Sequence, residues 1–188
     1  EQLAGKNVAI SNTTIMDYLI DQFEAELGLE NMTTVNMPDL MLRTTTLLEG
    51  KDIEAAILPD PLAAFAVAEG ANIVIDDTKL GENLSQSVVV VTKENIDDNR
   101  AQVEAMLAAY NEAIALINEN PDKYRTFALE CANVPEALAE TYPTPTFTAN
   151  CVPTEAQIAR VNDWPVEKEL LTEAYTYEQM VDDSFIKD

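Results

Sequence analysis

Within its first seventy residues the chain passes three times from a short apolar stretch through a polar cap into a helix. No other feature restricts the fold as much. Val8 to Ile10 leads into Ser11-Asn12-Thr13-Thr14, and Ile15, Met16, Leu19, Ile20, Phe23 and Leu27 follow at helical spacing, closed by Gly28. The stretch "TTVNM" at 33–37 reads as a second strand, after which Pro38-Asp39 opens a helix that runs through Leu48 and stops at Gly50. A third strand, "IEAAIL" at 53–58, leads to Asp60 as N-cap, Pro61 as first helical position and Gly70 just past the end. "NIVID" at 72–76 and "SVVVVT" at 87–92 add two more apolar runs, and the four consecutive valines suit a sheet buried on both faces. Strands alternating with helices require parallel pairing and right-handed crossovers. The expected first half, residues 1–93, is therefore an α/β lobe with a parallel-rich sheet of about five strands.

The pattern changes after Lys93. Residues 94–188 carry helix signals and no convincing strand, beginning with a long helix marked by Val103, Met106, Leu107, Tyr110, Ile114 and Ile117. Asn120-Pro121 restarts a helix towards Cys131, and Pro135 another. "TYPTPTFTANCVP", with three prolines, is an extended connector. Thr154 with Gln157 and Thr176 with Gln179 are capping boxes, and Pro165 after Trp164 is expected to end or kink the helix that the first of them opens. A helical layer of this size needs a sheet to cover. Part of it is expected to pack on a further lobe, and the exposed apolar face to make the isolated chain self-associate.

Charge removes several classes of partner. The 188 residues hold 34 Asp and Glu against 11 Lys and Arg, a net charge of -23 that repels nucleic-acid phosphates and anionic lipid headgroups. No run of apolar residues is long enough to span a bilayer, and the chain opens without a leader pattern, directly on a strand signal, as part of a longer chain would. Histidine is absent, which takes away the commonest general base and the commonest metal ligand. There is no glycine-rich phosphate loop and no nucleophile elbow, so no catalytic apparatus, metal site or cofactor is expected. Cys131 and Cys151 fit no metal or redox motif and are either two inert thiols or one disulfide closing the connector, a bridge that an exported protein permits.

In open parallel sheets ligands sit beyond the carboxyl ends of the strands, where helix N-termini present unpaired N–H groups. Ser11, Asn12, Thr13 and Thr14 occupy such a place with three hydroxyls and an amide, suited to an anionic or polar small ligand or to plain N-capping. Pro38, Asp60 and Pro61 occupy equivalent places, Asp60 either accepting from a ligand or capping its helix. Gln86, before the valine run, reaches a cleft or belongs to a surface turn. Trp164, Tyr175 and Tyr177 read as packing residues.

The segments "LAGKNVAIS", "VNMP", "LLEGKDIEAAILPDPLAAFAVAEGANIVID", "QSVVVVTKE" and "PTEAQIARVNDWPVEKELL…YEQMVDDSFI" together resemble the substrate-binding proteins of ABC importers. The nearest group is the NMT1/THI5-like one, which handles nitrate, sulfonates and the thiamine-pyrimidine precursor on a type II periplasmic-binding-protein fold. The resemblance implies a non-catalytic, extracytoplasmic protein, secreted or lipid-tethered, that closes on a small solute and hands it to a membrane permease. It further implies that this chain is the second lobe with the C-terminal helices, lacking most of the first lobe. Ser11 to Thr14 and Asp60-Pro61 then face the ligand cleft. Leu58 and Pro59 stand where the family often has an aromatic. The alternatives on the same fold are an enzyme of thiamine-pyrimidine biosynthesis, whose histidine chemistry this sequence lacks, and a ligand-sensing domain.

Overall fold

The computed structural model describes residues 3–28, 31–81, 84–85 and 87–186. They divide into two compact units, one of residues 1–88 with 129–143 and one of residues 89–128 with 144–188.

The first unit is built on three parallel strands, β1 (Asn7–Ile10), β2 (Thr33–Asn36) and β3 (Ala55–Ala56), in the order β2-β1-β3. Val8 and Ala9 sit opposite Thr34 and Val35 on one side and Ala55 and Ala56 on the other. As the central strand, β1 is covered on both faces: Val8, Ala9 and Ile10 are buried, and Val8 and Ile10 pack with Ile20, Met16, Met32 and Ile57. Each strand runs straight into a helix, namely α1 (Ile15–Leu27), α2 (Leu40–Glu49) and α3 (Leu62–Ala68). Thr14 caps α1 by accepting the Met16 N–H, and Asp39 caps α2 by accepting those of Met41 and Leu42. Gly28 and Gly50 end these helices in the left-handed conformation, with φ of 61° and 64°. Residues 129–143 belong to the same unit, and a 3-10 turn at Glu136–Leu138 packs against α3.

In the second unit, α4 (Lys93–Glu119) breaks its helical geometry at Asn99, where φ is -133°. The division between the units falls inside α5 (Pro121–Cys131). The connector after residue 143 is extended and is tied to α4 by side-chain amides: Asn118 bonds both the N–H and the carbonyl of Phe147, and Asn111 accepts the Asn150 N–H at 2.9 Å. Both capping boxes form, opening α6 (Glu155–Glu167) and α7 (Tyr177–Met180). Arg100 reaches Ser184 Oγ at 2.8 Å and lies 4.2 Å from the centre of the Phe185 ring.

Several expectations require correction. The sheet has three strands rather than five, because 72–76 and the described part of 87–92 form no ladder. Their apolar composition reports β-propensity, but a strand needs a partner, and β3 pairs through only two residues. Ile73, Val74, Val88, Val89 and Val90 are all exposed, Val90 at 83%. Pro61 is the N-cap of α3 rather than its first helical residue. Asp60 caps one turn deeper, its carboxylate accepting the Ala64 N–H at 3.2 Å. Pro135 starts only the 3-10 turn. Pro165 lies inside α6 without ending it: the helix runs two residues further, and the Pro165 carbonyl closes it by accepting from Leu170 and Leu171. The bridge between Cys131 and Cys151 is not what the fold sets up: both are exposed, one in each unit. No helix among the described residues is long and apolar enough to cross a membrane.

The core of the first unit converges on β1, so truncating Ile10 leaves a cavity that flanking strands cannot fill. Ile10→Ala is expected to cost about 3 kcal/mol in chemical denaturation, whereas the same truncation at exposed Val90 is expected to change stability little.

Candidate functional site

Because each helix of the first unit begins where a parallel strand ends, the starts of α1, α2 and α3 share one edge of the sheet. With β2 and β3 on opposite sides of β1, right-handed crossovers carry α1 and α2 to opposite faces. The loops after β1 and β3 therefore diverge, and the edge between them is the place where open α/β sheets take ligands. Ser11 to Thr14 lie on the loop after β1, Leu58 to Pro61 on the loop after β3 and Pro38 on the loop after β2. Gln86 lies outside the described residues.

Beneath this edge lies Arg43, which sequence reasoning did not single out. It projects from the first turn of α2 and is fully buried. Its Nε donates to the Met37 carbonyl at 2.9 Å, Nη1 to the Ile57 carbonyl at 2.8 Å and to the Met16 sulfur, and Nη2 to the Met37 carbonyl at 2.6 Å and to Ser11 Oγ. One guanidinium thus joins the residues that follow all three strands. Every acceptor is neutral, and none of the ion pairs among the described residues includes Arg43. Burial lowers its pKa from the ordinary arginine value, yet a guanidinium keeps its proton at any working pH. The available signal was a cation on the apolar stripe of its helix, between Leu40 and Leu47.

The Ser11–Thr14 loop is largely occupied with itself. Thr14 donates its hydroxyl to the Ser11 carbonyl at 2.7 Å, Thr13 donates its N–H to the Asp17 carboxylate at 2.8 Å, and Asn36 accepts the Asn12 N–H at 3.1 Å. Among the described residues the N–H groups of Thr14 and Ile15 have no protein acceptor. Thr13 holds φ at 57°, a left-handed conformation that a β-branched residue adopts only under constraint. On the opposite wall Asp60 has a half-buried neighbour, Tyr142, brought back by the 129–143 segment. Burial and the Asp60 charge push the Tyr142 phenol above its ordinary value. Nothing in the connector's sequence marks Tyr142 as a partner for a turn eighty residues earlier.

A separate concavity of about 290 Å³ belongs to the second unit, between α6 and residues 175–178, lined by Ile158, Asn162, Tyr175 and Tyr177. The Asn162 side chain donates to the Tyr175 carbonyl there, and the Tyr177 hydroxyl to the Pro153 carbonyl, while the Tyr175 side chain, expected to pack, is exposed. No group of His, Cys, Asp and Glu suited to a metal ion occurs among the described residues.

Relief of the strained dihedral makes Thr13→Gly expected to raise stability by about 1 kcal/mol in denaturant titration, since glycine adopts positive φ without steric conflict. Ultraviolet titration is expected to find Tyr142 ionising above 10.0, and lower in Asp60→Asn, where the repelling charge is gone. The sign for stability follows. A phenol whose folded pKa is raised favours the fold below its unfolded value, and that contribution is lost as pH rises above about 10.

Comparison with curated proteins and with solved structures returned no significant match. Among protein families, the NMT1-like family matches residues 1–131, which takes in the three strands, α1 to α3 and the whole crevice edge. With 131 of its 188 residues matched, the chain belongs to the NMT1-like family, a group of solute-binding proteins.

Proposed function

We propose that this chain binds a small polar or anionic organic solute in the crevice between the loops after β1 and β3. It would do so outside the cytoplasm, as the solute-binding component of an ABC importer that delivers the solute to a membrane permease. The observation that carries the reading is the meeting of Ser11–Thr14 and Leu58–Pro61 at one strand edge above a buried cation that has no carboxylate partner. The strained Thr13 and the unmatched N–H groups of Thr14 and Ile15 support it, since helix starts hold polar and anionic groups through such donors. Family membership supports a binding role in place of a reaction. So does the chemistry of Ser11: its oxygen faces a donor, and no histidine exists to take its proton.

Calorimetry of the purified chain against nitrate, alkylsulfonates and aminopyrimidines tests the proposal. One of these classes is expected to bind, and Asn12→Ala or Thr13→Ala to weaken it about tenfold, equivalent to 1.4 kcal/mol, with the circular dichroism unchanged. Binding that ignores both substitutions would move the site elsewhere.

A further inference from the structure

We infer that Arg43 is a positioning residue for solute binding: it compels Ser11 to serve the crevice as a hydrogen-bond donor with a positive charge behind it. The solute end received there is then an acceptor, and an anionic oxygen in preference to a neutral one. The inference rests on the solute-binding reading of the crevice and names the chemistry that the site selects.

A guanidinium offers donors only. Since Nη2 donates to Ser11 Oγ, the Ser11 oxygen must accept, and its own proton has to go elsewhere. Ser11 is only 9% exposed, its carbonyl is already taken by the Thr14 hydroxyl, and its proton has no acceptor among the described residues. A nearly buried hydroxyl left in that state is unfavourable unless solvent or a solute meets it. The guanidinium cannot turn away, because its remaining N–H groups are held by Met16, Met37 and Ile57.

The charge points the same way. Asp17, Asp39 and Asp60 stand at the same edge, but each already accepts backbone N–H groups, from Thr13, from Met41 and Leu42, and from Ala64. None of them pairs with Arg43. The cation behind Ser11 thus has no ion-pair partner among the described residues, and in a poorly polarisable setting it strengthens a bond from Ser11 to a charged acceptor more than one to a neutral acceptor.

The test uses the whole chain and two probes of one shape, ethanesulfonate and its neutral isostere ethyl methyl sulfone. By calorimetry the wild type is expected to prefer the sulfonate by about tenfold. Ser11→Ala removes the donor, and Arg43→Lys keeps the charge but loses the fork that holds Ser11. Both are expected to bring the ratio of the two affinities close to one. Damage to the fold alone would weaken both probes by a common factor and leave the ratio unchanged, so a retained preference in Ser11→Ala overturns the inference. If Arg43→Lys fails to fold, Ser11→Ala decides by itself. A wild type that binds both probes equally overturns the inference while leaving solute binding intact. A wild type that binds neither the probes nor any solute of the wider panel overturns the proposed function and this inference with it.

Discussion

Carbonyl groups beyond the ends of parallel strands have no ladder partner once the strands stop, and here those of Met37 and Ile57 are taken up by a single buried guanidinium. The arrangement ties together the loops that follow all three strands. A buried charge is a poor device for stability alone, since desolvation opposes it and apolar replacements often serve as well. Arg43 makes better sense as the part that keeps three loops in register while leaving its charge available at the edge.

The helix starts around it divide their work. Asp39 takes up the Met41 and Leu42 N–H groups of α2 and Asp60 the Ala64 N–H of α3, so a carboxylate already sits at each of those helix starts. Helix α1 is capped by a hydroxyl, and the carboxylate of Asp17 turns back to the Thr13 N–H. The start of α1 therefore keeps donors that its neighbours have used, and it is the start that carries the strained Thr13.

What could be read from the sequence was what short range determines. A cap within Ser11–Thr14, a helix start at Pro38-Asp39, the stops at Gly28 and Gly50, and both capping boxes depend on residues within one helical turn, and all formed as expected. The first three strands were readable because each lies between two such signals. The valine run was misread because its composition speaks for propensity, whereas strand formation depends on a neighbour that the structure does not provide. Pro165, expected to end or kink its helix, stands two residues before α6 stops, and its own carbonyl closes that end. The loops of the site were found from topology, but Arg43 and Tyr142 were not. Their roles come from contacts with residues distant in the chain, Ser11 and Ile57 for one and Asp60 for the other.

The buried cation within a chain of net charge -23 has a kinetic consequence. Beyond the Debye length, about 8 Å at physiological ionic strength, an approaching anion meets the repulsion of the whole surface. At the edge above Ser11 it would come under the field of Arg43. For an anionic solute the long-range field is a barrier and the short-range field a well, so added salt lowers the first while leaving the second, shielded by burial, nearly untouched. Such a solute would enter faster as ionic strength rises and leave at much the same rate, the reverse of pairs drawn together by opposite net charge.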